Sequence, residues 1–303
     1  MSSSLPDGFR VRPASVDDAA AVNELVVAAD IAVQGWSDSS VSELLEWWRL
    51  TDLAVNAWTV EDDAVAAHVV VIPHGETADI DGFVHPEKTG LGLGGWLLRR
   101  GEERIRELGF DRALTWCLAG DARARELFER AGFREVRRFY RMLVEHEAEP
   151  VAAEWPQGVR VSTFEREDAR AFHAALTESF AEEWNFVSEP FEEWAKRRID
   201  VPDVDPTLWF IARAGDEIAG VIRCDADRGG AGFVGALGVR PGWRKQGLGL
   251  ALLRHAFGEY YRRGQPRVAL GVDAENPTGA TRLYERAGMH VAYEAVAFEK
   301  PLG

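Results

Sequence analysis

Two cysteines, Cys117 and Cys224, are all that the 303 residues contain, too few and too isolated for a disulfide framework or a cysteine metal site, as expected in a reducing compartment. No apolar run is long enough to cross a bilayer, and the opening MSSSLPDGFR has no basic-then-apolar leader, so the expected location is the cytoplasm, with no membrane partner. Positive charge is short as well. Lys and Arg number 35 against 50 Asp and Glu, a net charge of −15, which argues against nucleic acid as the main partner because phosphate backbones are held by clustered cations. The seven histidines never fall at His-x-x-x-His or His-Glu-x-x-His spacing, and no Gly-x-Ser-x-Gly elbow occurs. Neither a helix-borne metal pair nor a serine nucleophile is indicated.

What is present is a repeat. Laying residues 84–98 over 239–253 sets ValHisPro (84–86) on ValArgPro (239–241) and the glycine loop of KTGLGLGGWLL (88–98) on that of RKQGLGLALL (244–253). One residue further out of register, LeuPheGluArgAlaGlyPhe (127–133) matches LeuTyrGluArgAlaGlyMet (283–289). A pattern that keeps its spacing this long is a duplicated domain. Each copy opens alike, with GFRVRPASVDDAAAV (8–22) and GVRVSTFEREDARAF (158–172), and the charged, proline-bearing EHEAEPVAAEWPQG (145–158) lies between them. The expected organisation is a first domain over 1–148, a linker over 149–157 and a second domain over 158–303.

Each copy reads as a strand, one or two helices and a run of strands: AWTVED, AVAAHVVVIP and ADIDGFV in the first, LWFIARA, IAGVIRCDA and GFVGALGV in the second. After the second glycine loop, Leu248, Leu252, Ala256 and Tyr260 share one face of a helix that ends near Gly264. The strand RVALGV, a helix in TGATRLYERAG and the strand HVAYEAVAFE complete the copy. The predicted fold class is α/β, two tandem domains, each a mixed central sheet flanked by helices.

A strand that runs through Arg244-Lys245-Gln246-Gly247-Leu248-Gly249 directly into a helix presents unpaired N–H groups at the positive end of the helix dipole. Gly247 and Gly249 remove side chains that would keep an anion away, and Arg244 and Lys245 add charge, so the loop is a candidate phosphate seat. By residue chemistry alone, Tyr284 reads as a partly buried aromatic on a helix, and Asn276 as the cap of a helix beginning near Thr278.

Val-x-Pro-x-x-Arg-x-x-Gly-x-Gly, then ValAspAlaGluAsn (272–276), then Tyr284 within LeuTyrGluArgAlaGlyMet resembles the GNAT superfamily of acyl-CoA N-acyltransferases. The resemblance implies acetyl-CoA as co-substrate, held between splayed strands GFVGALGV and RVALGV. Its pyrophosphate would lie on Arg244, Lys245, Gln246, Gly247, Leu248 and Gly249, with its pantetheine arm and thioester carbonyl on backbone groups near Leu237 and Val239. It further implies direct attack by a primary amine of a small-molecule acceptor, Tyr284 as the acid that protonates the departing thiolate, and Asn276 orienting the cofactor arm or a water. A thiolate leaves readily, so a high-pKa phenol suffices as its proton source.

The first copy lacks these side chains: Thr89 stands for Arg244, Gly120 for Asn276 and Phe128 for Tyr284. The second copy is therefore expected to be catalytic and the first a degenerate scaffold whose Gly90, Gly92 and Gly94 could still seat a pyrophosphate. Tandem members of the mycothiol synthase type share this architecture and place a glutamate base on the strand before Val-x-Pro, where Phe233 stands here. Another base is then needed, from Asp225, Asp227, Glu182 or Glu183, or from a water chain. FAEEWNFVSEPFEEW (180–194) lies in the region that the resemblance gives to the acceptor, and its carboxylates favour a cationic amine over an anion; its plainer reading is an amphipathic helix pair with Trp184 and Trp194 turned inward. A mycothiol-synthase-like activity and a non-catalytic acyl-CoA-binding regulator are the alternative functions.

Overall fold

In the computed structural model, which describes residues 4–201 and 204–303, leaving Met1, Ser2 and Ser3 of the leader reading outside, the first copy begins with β1 (Arg10–Pro13). Ser15 and Asp18 then form a capping box that leads into α1 (Ala19–Gln34). There follow α2 (Val41–Trp48), α3 (Leu53–Asn56), β2 (Ala57–Glu61), β3 (Val65–His74), β4 (Thr77–Val84), α4 (Leu93–Glu107), β5 (Arg112–Leu118), α5 (Ala122–Arg130) and the long β6 (Arg134–Glu145). The second copy repeats the order with β7 (Val159–Thr163), α6 (Ala169–Phe180), α7 (Phe191–Arg198), β8 (Phe210–Ala214), β9 (Glu217–Arg228), β10 (Ala231–Val239), α8 (Leu248–Arg262), β11 (Arg267–Asp273), α9 (Ala280–Arg286) and β12 (His290–Pro301). Among the described residues no helix is long and apolar enough to cross a membrane.

The chain packs into two units, one of Met1–Arg138 with Glu294–Gly303 and one of Phe139–Tyr293. The last strands are thus exchanged between the copies. In the first unit the sheet runs β1-β2-β3-β4-β5-β12, with β12 antiparallel to β5 through Ala295–Pro301. In the second it runs β7-β8-β9-β10-β11-β6, with residues 139–145 of β6 antiparallel to β11. One parallel contact per sheet, β4 with β5 and β10 with β11, makes each mixed.

The two-residue period of the strands divides each unit into two apolar layers. In the first unit Val69 and Val71 of β3 face a core shared with Leu93, Leu97 and Ile105 of α4, and Val70 and Ile72 face one shared with Val22 of α1 and Trp48 of α2. In the second unit α8 buries Leu248, Leu252, Ala256 and Tyr260, each at most 1% exposed. Each fully buried leucine there stabilises by about 1.5–3 kcal/mol. Met142 and Val144 of β6 belong to the second core, and Val296 and Phe298 of β12 to the first.

Candidate active site

The parallel ladder between β10 and β11 covers only Gly232–Val234 against Val268–Leu270. Beyond Val234 the strands part, and residues 235–239 of β10 keep only their β9 neighbours. An unpaired run of backbone N–H and C=O groups facing a gap can take an extended ligand as a strand would. Its start is marked by a bulge, an irregularity in the register with β9 between Val234 and Ala236. Tyr260 of α8 braces this point: its hydroxyl donates to the carbonyls of Phe233 (3.0 Å) and Asp225 (2.7 Å). A side chain at Gly232 would collide with the Tyr260 ring.

Val239 ends the open edge, and a 3-10 turn over Pro241–Trp243 passes into the glycine loop. Gly247 takes the left-handed conformation (φ 85°) at the N-cap of α8, a geometry that costs a glycine nothing. Lys245 is left-handed too (φ 62°), at about 1–2 kcal/mol for a residue with a Cβ. The first helical turn therefore opens onto the end of the parted strands with its N–H groups free of intrahelical partners. Gln246 donates back to Gly242 O (3.1 Å). Arg244 turns away from the seat, its guanidinium donating to Val239 O (3.2 Å), Ser179 O (3.1 Å) and Glu182 Oε2 (2.7 Å). It clamps the loop to the end of α6, and its charge is already matched by Glu182.

Tyr284 is 8% exposed on α9, and burial together with the nearby charge of Glu183 raises its pKa. The phenol therefore stays protonated at any ordinary pH, the state a proton donor needs. Asn276 lies in the turn that follows β11, where its Nδ2 donates to both Glu183 oxygens (2.7 and 2.9 Å) and its Oδ1 accepts from Thr278 N (2.8 Å). This turn does not cap a helix: α9 starts later, at Ala280, after Pro277 and a left-handed Gly279 (φ 78°). Leu237, Val239, the 244–249 loop, Asn276 and Tyr284 all lie in the second unit.

The four carboxylates that sequence offered as a base have distinct settings. Glu182 pairs with Arg244, Glu183 holds Asn276, and Asp227 accepts from Gly230 N in the β9–β10 turn. Asp225 is held between Arg223 (2.9 Å) and Arg228 (2.8 Å). Within the segment 180–194, residues 181–190 form a loop between α6 and α7 in place of a helix pair; Trp194 is buried in the first turn of α7, and Trp184 of the loop is half-buried against Phe139, ring centroids 5.9 Å apart.

In the first unit the loop backbone is the same, with Gly90 (φ 81°) and Gly92 (φ 90°) at the places of Lys245 and Gly247. The surroundings differ. β3 and β4 pair from Val84 to Thr77 without a bulge, Ile105 stands where Tyr260 braces the second copy, and Phe128 packs edge-on to Phe298 at 5.3 Å. Pro6 lies against the loop, 3.6 Å from where a Gly92 side chain would begin. Sequence reading also missed a pair on β4, Asp79 and Asp81. Burial pushes them up to about 6 and about 7, helped at Asp81 by Asp79 and Asp30, and Asp79 Oδ1 is buried with no hydrogen-bond partner among the described residues.

The chain is similar to known proteins in both sequence and fold. A family model described as the acetyltransferase (GNAT) family matches twice, over residues 21–133 and 169–289. A mycothiol acetyltransferase of Streptomyces scabiei is 35% identical over 224 residues, 70% of this chain and 67% of the relative. One from Clavibacter sepedonicus is 30% identical over 97% of both chains. Among solved structures, a GCN5-related N-acetyltransferase from Sphaerobacter thermophilus superposes with a TM-score of 0.85 at 36% identity, over 99% of this chain and 97% of that one.

Proposed function

The chain belongs to the acetyltransferase (GNAT) family, and from that premise we propose that its second unit moves the acetyl group of acetyl-CoA to the primary amine of a small molecule by direct attack in a ternary complex. The observation that carries the reading is the parting of β10 from β11 beyond Val234, which ends at the helix-opening glycine loop and has a buried, protonated Tyr284 and the Asn276–Glu183 pair beside it.

The residues present fit acetyl-CoA. The unpaired edge at Leu237 and Val239 offers backbone hydrogen bonds to its amide arm, and the N–H groups from Lys245 to Gly249 offer an anion seat at the positive end of α8. Acetyl-CoA supplies an activated thioester: the acceptor nitrogen bonds to its carbonyl carbon as the C–S bond breaks. Tyr284 holds the proton the sulfur requires, and the proton shed by the nitrogen restores the phenol. Arg244 keeps the loop in place through Glu182 and Ser179. Asn276 is fixed by Glu183, so its amide is oriented before substrate arrives.

Tyr284→Phe keeps ring and packing and removes the proton. Turnover of an amine panel, read as free thiol, should fall about 100-fold or more while acetyl-CoA affinity holds. Unchanged turnover would remove Tyr284 from the mechanism. A mycothiol acetyltransferase activity is the second reading, favoured by relatives at 35% and 30% identity.

A further inference from the structure

We infer that the acceptor amine also carries an oxyanion, a carboxylate or a phosphate, received by Arg223, Arg228 and Arg198 of the second unit; the inference rests on the transfer reading above. Arg223 projects from β9 over the bulge of β10, where a side chain at Gly235 would collide with its guanidinium. Gly235 is the first residue of β10 beyond the parallel ladder, so the guanidinium lies at the start of the open edge. Arg223 and Arg228 share one carboxylate, Asp225, with side chains only 9% and 12% exposed. Arg198, at the C-terminal end of α7, belongs to the same group. Burial and the charges of Arg223 and Arg228 push its pKa down to about 9 against the opposing pull of Asp225. A fourth guanidinium, Arg141 of β6, lies 4.9 Å from the centre of the Phe233 ring, with Arg228 also over that ring at 4.2 Å.

The duplicated fold does without these guanidinium groups. Counting along β3 and β9 from the pairs Val84–Ala67 and Val239–Gly220, Val70 and Ile72 occupy the places of Arg223 and Asp225. They lie in the apolar layer against α1 and α2. The architecture closes over two aliphatic side chains there, so the arginines of the second unit answer to something other than folding. Guanidinium forks match carboxylate and phosphate oxygens, often through two parallel hydrogen bonds. Glu183, held at Asn276 near Tyr284, is the nearby negative group for an ammonium. An acceptor with an anion for the arginines and an amine for the thioester is a zwitterion such as an amino acid or an amino phosphate. The cationic acceptor expected from the 180–194 carboxylates accounts for one end of such a molecule.

The test measures free-thiol release from acetyl-CoA with matched amines: free amino acids against their carboxamides, and phosphoethanolamine against ethanolamine. The anionic member of a pair should be favoured about tenfold or more in kcat/KM, expressed mainly in KM, with the two pairs separating carboxylate from phosphate. Arg223→Gln and Arg228→Gln should each shrink that ratio while acetyl-CoA affinity, read by calorimetry, stays at the parent value. If no pair is turned over, the melting temperature decides: millimolar anionic members should raise it in the parent and not in the variants. Equal or better use of the neutral members, a preference that survives both substitutions, or no thermal shift with any anion would overturn the inference. Loss of acetyl-CoA binding in the parent would instead sink the transfer reading.

Discussion

The two units set one loop backbone in two different surroundings. Gly90 and Gly92 in the first take the left-handed turn that Lys245 and Gly247 take in the second, so the path of the chain into its helix was preserved. The parallel strands part after three residue pairs in both units as well, but what lies around the gap differs. The second unit has a bulge at Gly235 braced by Tyr260, a protonated Tyr284 and an oriented Asn276; the first has a straight ladder, Ile105, Phe128 and Gly120, with Pro6 lying against its loop. Charge is redistributed as well. Arginines crowd β9, whereas β4 carries two carboxylates that burial drives toward the neutral form. On the proposed division of labour the fold outlives its chemistry, because the packing residues that hold loop and helix are separate from the few assigned to act.

Cutting the chain between its copies breaks the comparison most severely. Residues 158–303 alone lack 139–145, the strand paired along all of β11, and with it the buried Met142 and Val144. That fragment should show no cooperative melt in circular dichroism, its β11 edge open to association; a folded monomer would mean that the exchanged strands are dispensable. Next in size, Phe128→Tyr in the Tyr284→Phe background should restore no thiol release, since the first unit lacks the bulge and Asn276. Recovery of even a tenth of parental turnover would show the first unit to be competent.

A smaller effect separates the units by pH. Asp81 has its folded pKa raised from 3.8 to about 7, so its contribution to stability is full below pH 4 and is lost as pH rises through 7. Asp81→Asn removes that loss and should stabilise the protein at pH 8 by on the order of 1–3 kcal/mol, with little gain at pH 4, as thermal melts at the two values would show. An equal gain at both would mean that Asp81 is ionised throughout. Smallest of all, Lys245→Gly gives the second loop the glycine of the first. Relief of the left-handed strain, offset by the entropy of a glycine, should leave a gain of about 0.5 kcal/mol in urea denaturation, and a loss of stability would show the lysine to be unstrained.

Much of this was legible in the sequence because it was written twice. The spacing of the glycine loops, the apolar face of α8 and the strands on either side stand out by repetition, and the losses at Gly120 and Phe128 are visible only against a second copy. Other features depended on contacts that no local pattern carries. The exchange of β6 and β12 leaves no local trace, since a strand reads alike whichever sheet receives it. Arg223 and Arg228 share β9, but Arg198 joins them only through the place where α7 ends. Arg244 was expected to add charge at the seat, but its reach to Ser179 and Glu182 depends on where α6 ends. Asn276 sat beside Pro277 and before Gly279, the signal that the next helix would start late.

The division of labour is tested most directly by titrating acetyl-CoA into the intact protein in a calorimeter, alongside Gly247→Glu, which puts a carboxylate and a Cβ into the left-handed turn of the second seat, with a melting curve to confirm that the variant folds. The account predicts one site in the parent and none in the variant. Two sites, or one that survives the substitution, would mean that the first unit binds acetyl-CoA and that the two units are not divided as described.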